Sequence, residues 1–189
     1  MSPRQSGERV SRPNLTEAER MRPRSVRESQ VSMSVQMNPG DANPAGDVHG
    51  GTIMKLVDTA AGVAATRHCR SRVVTATVDS MTFLHPVHIG DLVTVRASVN
   101  DVGSTSLEVG VRVESENVRT GETHHTSSAY LVFVALDHLR RPAPVPPLVV
   151  ENDAERRRQA HARIRRESRR ARTERIKQHM DPGLPPTPD

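Results

Sequence analysis

The 189-residue sequence has no tryptophan, one tyrosine and two phenylalanines. With Phe83, Tyr130 and Phe133 as its only aromatics, any core must be built from Val, Leu, Ile, Ala and Met. Platforms for stacking bases are nearly absent, which weighs against single-stranded nucleic acid as a partner. The single Cys69 excludes an internal disulfide. No run approaches the roughly eighteen consecutive apolar residues of a membrane span, so no membrane insertion is expected. The first nine residues contain no apolar stretch that would serve as a signal segment, and the chain is expected to be soluble and cytoplasmic.

Acidic and basic residues are unevenly placed. Residues 151–177 hold eleven Lys/Arg against five Asp/Glu, whereas residues 1–150 are close to neutral, so the net charge of +5 belongs to the C-terminal segment. At this length one domain is the natural count.

Residues 1–29, rich in Arg, Ser, Glu and Pro with little periodicity, read as a disordered arm. Residues 31–37 alternate as a half-buried strand does, opening a domain over residues 30–140. After a loop with Pro39, Gly40, Pro44 and Gly46, the spacing of Ile53, Leu56, Val57, Ala60, Ala61, Val63 and Ala64 predicts one helix from Gly50 to about Cys69. Its small residues Ala60, Ala61, Gly62, Ala64 and Ala65 allow close approach to a sheet.

Four β-rich segments follow, over residues 73–83, 92–99, 107–113 and 126–136. Short turn-bearing links predict that these are mostly antiparallel neighbours, with the last near the sheet centre. The expected fold is α+β, a curved, mainly antiparallel five-stranded sheet wrapped around one long helix. A proline-rich connector (141–150), a charged helix (151–177) and a disordered tail (178–189) complete the chain.

Residues 43–58 are the most informative stretch. The first turn of a helix leaves backbone N–H groups unpaired, and Gly50 and Gly51, lacking a Cβ, would let a ligand oxygen approach them. Such donors suit a developing oxyanion. Asp58 interrupts the apolar stripe, and a carboxylate that loses hydration among apolar neighbours becomes a better proton acceptor, a general-base candidate. A polar residue on such a face is also often a satisfied structural one.

Gly51 and Asp58 are seven residues apart, about 10 Å along a helix. One small carbonyl cannot touch both. Either they serve different purposes, or the site is built across a two-fold axis; the second reading is preferred and predicts an obligate dimer.

The order of elements, with Asp-Ala-Asn-Pro-Ala-Gly-Asp-Val-His-Gly-Gly from Asp41 to Gly51, Met54-Lys-Leu-Val-Asp58, Ala60-Ala-Gly62, Thr66-Arg-His-Cys69, residues 73–81, Pro86 and Ile89-Gly-Asp91, resembles the hotdog-fold acyl-CoA thioesterases, specifically the cytosolic (long-chain) acyl-CoA hydrolase group. The resemblance covers about residues 28–150. It implies hydrolysis of medium- or long-chain acyl-CoA to free fatty acid and CoA, with no cofactor, since CoA is part of the substrate. It also implies a homodimer with active sites at its interface, assembling further into a hexamer as a trimer of dimers. Asn43 matches the family's active-site asparagine and Asp58 its catalytic aspartate, contributed by opposite partners. Ser104 and His85 depart from the family, in which relatives often carry larger polar or basic residues at these places near the CoA.

On this reading Asp58 activates water or attacks directly, the Gly51 N–H receives the oxyanion, and Asn43 orients water or carbonyl; Asn43, before Pro44, is equally suited to forming a turn. His49 is placed to shuttle protons or to cap the helix, and Gly50 belongs to the same substrate-binding set. Thr105 and Ser106 are candidate contacts for CoA or ordinary turn residues. His68 and Cys69 are adjacent on a helix and so point about 100° apart, a poor nucleophile pair. His85, His88, His124, His125 and His138 lack metal-ligand spacing, so no metal is expected. The rival readings are a hotdog module that binds acyl-CoA without cleaving it and uses the basic helix on nucleic acid or another acidic partner, and a hotdog dehydratase or a thioesterase of another lineage.

Overall fold

A computed structural model describes residues 16–179. Its elements, in chain order, are α1 (Glu17–Met21), β1 (Arg24–Ser25), α2 (Val26–Ser29), β2 (Val31–Gln36), a 3-10 turn (Pro39–Asp41), α3 (Gly50–Cys69), β3 (Arg72–Phe83), β4 (Leu92–Val102), β5 (Ser106–Glu116), β6 (Thr123–Leu136), β7 (Leu148–Val149) and α4 (Asp153–His179). The main sheet has the order β2-β4-β5-β6-β3, with every pair antiparallel.

Helix α3 has the bounds its sequence predicts. His49 caps its start, and Arg70, in the left-handed region at φ 52°, closes its end. Its small face, Ala60, Ala61, Ala64 and Ala65, is fully buried against the sheet, where Val93, Val95, Val99, Val109, Leu131 and Phe133 meet it. Each of those valines contributes roughly 1.5–3 kcal/mol through burial. The helix therefore fills the concave side of the sheet.

The strands depart from expectation in their neighbours. β4, β5 and β6 form a meander, but β3 does not pair with β4. Residues 84–91 carry the chain across the sheet so that β3 pairs with β6 while β2 takes the free side of β4. Turn chemistry is local and does not reveal that exchange. Strand β3 consequently lies at an edge, with Val74, Val78 and Phe83 exposed along it.

Residues 16–29 are not the disordered arm their composition suggested; residues 1–15 lie outside the described part. Arg24 is only 2% exposed. Its guanidinium donates to the carbonyls of His68 (2.6 Å), Arg20 (2.9 Å) and Glu19 (3.0 Å). The C-terminal end of α3 presents carbonyls and a negative partial charge, so a cation is favoured there. Val26 and Ser29 are buried beside it, and β1 pairs in parallel with β7, which lies within the proline-rich connector.

Helix α4 runs across the outer face of the sheet. Of its residues only Glu155 and Ala162 are buried, so apolar contact is not what holds it. The sheet presents two buried carboxylates, Asp101 and Glu108, to α4. Arg165 pairs with Glu108 at 2.6 Å, Arg169 with Asp79 at 2.6 Å and with Glu108 at 3.5 Å, and Arg166 with Asp101. Such pairs contribute little net stability, but removing one partner strands a buried charge. The expected tail, residues 178–189, falls mostly outside the described residues; residues 178 and 179 end α4.

Candidate active site

The loop before α3 is pinned at several points. The His49 N–H donates to the Asp41 carbonyl at 2.8 Å, the Val48 N–H to that of Val87 at 2.9 Å, and His88 Nδ1 pairs with Asp47 Oδ1 at 2.8 Å. Asn43 shapes this loop, its Oδ1 accepting from the N–H groups of Ala45 (2.9 Å) and Asp47 (3.2 Å). The turn-forming role is therefore real. It engages only the oxygen, and among the described residues nothing accepts from Asn43 Nδ2, leaving an oriented donor.

At the helix start the two glycines differ. The Gly51 N–H donates to His49 Nδ1 at 2.8 Å, so the oxyanion donor expected there is already engaged. The Gly50 N–H has no acceptor among the described residues. His49 acts as the cap, and with Nδ1 accepting, the neutral ring carries its proton on Nε2. Asn43 and Gly50 line one cavity of about 400 Å³ with Ile53, Phe83, Leu84 and Pro86.

Asp58 lies elsewhere. It lines a larger cavity of about 1070 Å³ with Val63, Thr75, Phe133 and Leu136, rimmed by arginines that include Arg70 and Arg72. Its side chain is exposed; the loss of hydration expected from the apolar stripe does not occur within one chain, because Asp58 and Val63 lie on the open side of the helix, beside edge strand β3. Thr75 of β3 donates its hydroxyl to Asp58 Oδ1 at 2.8 Å. That fixes one carboxylate oxygen and leaves the other open to the cavity. Thr75 was missed in the sequence, where one threonine in a β-rich run carries no distinguishing signal.

One chain thus separates the candidate residues into two half-sites, Asn43 and Gly50 in one, Asp58 and Thr75 in the other. Thr105 and Ser106 join neither. They sit at the β4–β5 turn, and Ser106 lines a third cavity, of about 340 Å³, beneath α4 with Arg166 and Arg169.

Cys69 is buried and its thiol is pushed up to about 12 by desolvation, so it stays protonated. Among the described residues no group of three or more His, Cys, Asp or Glu is arranged to hold a metal ion, and no helix is long and apolar enough to cross a membrane.

Comparison with known proteins bears on this arrangement. Residues 45–122 match the thioesterase superfamily. The chain is 39% identical over 132 residues to YkhA of Bacillus subtilis, named an uncharacterised acyl-CoA thioester hydrolase, covering 70% of this chain and 77% of that protein. Its fold matches the acyl-CoA hydrolase of Staphylococcus aureus solved with butyryl-CoA, CoA and CoA disulfide, at 35% identity and TM-score 0.76, covering 82% of this chain and 94% of the other. It also matches a hexameric acyl-CoA thioesterase at 34% identity and TM-score 0.78, covering 80% and 97%. The sheet wrapped on α3 is thus the hotdog fold. The Staphylococcus enzyme was also solved with an asparagine, an aspartate or a threonine replaced by alanine. Those three are spaced fifteen and seventeen residues apart, as are Asn43, Asp58 and Thr75.

Proposed function

The chain belongs to the thioesterase superfamily, and from that membership we propose that it is an acyl-CoA thioester hydrolase whose active sites are shared between two protomers. The observation that carries this reading is the separation of the half-sites along the exposed edge strand β3, with Thr75 and the Asp58 cavity near one end, Phe83 and the Asn43 cavity at the other. Eight residues of strand span about 26 Å. Antiparallel pairing of two β3 strands about Asp79, midway between them, would lay the Asp58 half-site of one protomer against the Asn43 half-site of the other, twice per dimer. It would also cover Val74, Val78, Phe83 and Leu84, each 43–51% exposed in a single chain, and remove water from Asp58. Such dimers would assemble further into a hexamer.

In this arrangement Asp58, held at Oδ1 by Thr75, takes a proton from water on its free oxygen as the hydroxide attacks the thioester carbon. Asn43 Nδ2 and the Gly50 N–H of the partner receive the oxyanion. Collapse breaks the C–S bond, and the CoA sulfur leaves with the proton held by Asp58. Direct attack by Asp58 through a mixed anhydride uses the same geometry.

The cavity at Asp58 combines apolar walls (Val63, Val73, Phe133, Leu136) with an arginine rim, which suits a medium or long acyl chain joined to a polyanionic carrier. A buried, unpaired cysteine suits a cytoplasmic setting. The binding-only alternative has little support in α4, where Arg165, Arg166 and Arg169 are engaged by sheet carboxylates.

The test is complementation. Asn43→Ala and Asp58→Asn should each be inactive in thiol release from acyl-CoA. Co-expressed, they should regain about a quarter of wild-type activity, since random pairing makes half the dimers mixed and gives each one intact site of two. Activity that stays at the level of the single variants would overturn the shared site.

A further inference from the structure

On the face of the sheet opposite α3, between the strands and α4, lies a cavity of about 610 Å³ that the proposed chemistry does not use. Its lining includes Arg96, Arg112, Arg158, Arg165 and His161 and no carboxylate. Two carboxylates stand nearby. Arg96 and Arg112 share Glu114, and Arg165 is held by Glu108, while Arg158 and His161 have no ionic partner among the described residues. Four guanidinium groups against two carboxylates leave two positive charges unbalanced.

The wall of the same cavity contains an unsatisfied acceptor. Asn100, 3% exposed, donates through Nδ2 to Glu108 Oε1 at 3.2 Å, which assigns its other side-chain atom as oxygen; that Oδ1 is buried without a hydrogen-bond partner. A buried carbonyl oxygen left without a donor is unfavourable. Gly110 lies opposite, and a Cβ there would come within 2.5 Å of Asn100 Nδ2, so the glycine keeps Asn100 in place at the cavity wall. Ser32, Ser98 and Ser128 add hydroxyls, and Arg165 is stacked 3.6 Å over the Tyr130 ring, which holds its guanidinium flat.

We propose that this cavity binds a small phosphate ester, its anion held by Arg96, Arg112 and Arg158 and a hydroxyl or amino group of the same molecule donating to Asn100 Oδ1. The volume is that of a small-molecule site rather than a single ion. Because it lies across the sheet from Asp58, occupancy here does not compete with substrate, and the inference stands apart from the thioester reading.

Isothermal titration calorimetry of the full chain with inorganic pyrophosphate and with ADP tests it, ADP supplying the hydroxyl donors that pyrophosphate lacks. ADP should bind more tightly than pyrophosphate, and both should weaken as salt rises. Arg158→Glu, at an exposed position on α4, should weaken both about tenfold or more, as should Arg96→Ala, while Asp58→Asn should leave them unchanged. Three results would overturn it: no heat with either probe at millimolar concentration, binding that Arg158→Glu and Arg96→Ala leave intact, or an oligomer in sedimentation that Arg158→Glu splits without any anion binding to the wild type, which would assign this face to a second copy of the chain.

Discussion

The hydroxyl of Thr75 on edge strand β3 and Oδ1 of Asp58 on the central helix are joined at 2.8 Å, a direct polar link between a candidate catalytic side chain and the strand proposed to form the dimer. A general base works when its free oxygen faces the water, and one donor on the other oxygen sets that orientation. Thr75→Val keeps the shape of the side chain but removes the donor. We expect kcat to fall about tenfold, the worth of one charge-assisted hydrogen bond, with KM little changed and Thr75→Ser largely restored. Unchanged kcat in the valine variant would remove Thr75 from the mechanism.

Asp58→Asn retains size and the contact with Thr75 while abolishing proton acceptance. Turnover should drop on the order of 10²–10⁴-fold. The midpoint of thermal unfolding should move little, since asparagine keeps the size of the side chain and its contact with Thr75. Thiol release within threefold of wild type would refute the assignment of the base.

Charge placed on the exposed edge bears on assembly. Val78 is 46% exposed on β3 and adjacent to the proposed two-fold position. Val78→Lys would bring two like charges together across that axis, and sedimentation should show monomer with activity lost in parallel. An active dimer in this variant would place the interface elsewhere.

His68 predicts a dependence on pH. It is fully buried, and desolvation lowers its pKa from the ordinary 6.5, outweighing the bond of Nε2 to the Pro146 carbonyl at 2.9 Å. The folded state therefore resists a proton that the unfolded chain accepts. Above pH 6.5 neither form is charged and stability is complete; below it the unfolded state gains the proton and stability is lost as pH falls. His68→Gln should flatten the fall in unfolding midpoint between about pH 7 and pH 5. Equal slopes in both proteins would show that His68 does not set it.

The limits of α3 were legible because a glycine pair, a small-residue stripe and a helix period all pointed to residues 50–69. Asn43 and Asp58 were legible through the motifs around them. Their environments were not: the spacing placed Asp58 on the apolar stripe, yet the helix rotates it outward, and Gly51 was read as a free donor although the side chain two residues earlier occupies it. Residues 16–29 looked disordered because arginines and serines carry no periodicity, and their anchor, Arg24, gains meaning only where the carbonyls ending α3 meet it.

The sequence alone determined what depends on neighbours in the chain: strand alternation, the start and stop of the long helix, the charge of the last segment, and the seven-residue gap that no single carbonyl bridges. Tertiary structure decided what depends on residues far apart meeting. It placed β3 at the edge beside β6, set Thr75 against Asp58, and turned the basic helix onto Asp101 and Glu108. Hydrophobic period and turn type are encoded within a few residues, whereas a hydrogen bond between helix and strand, or an arginine over a buried carboxylate sixty residues away, exists only once the sheet has fixed the distance between them.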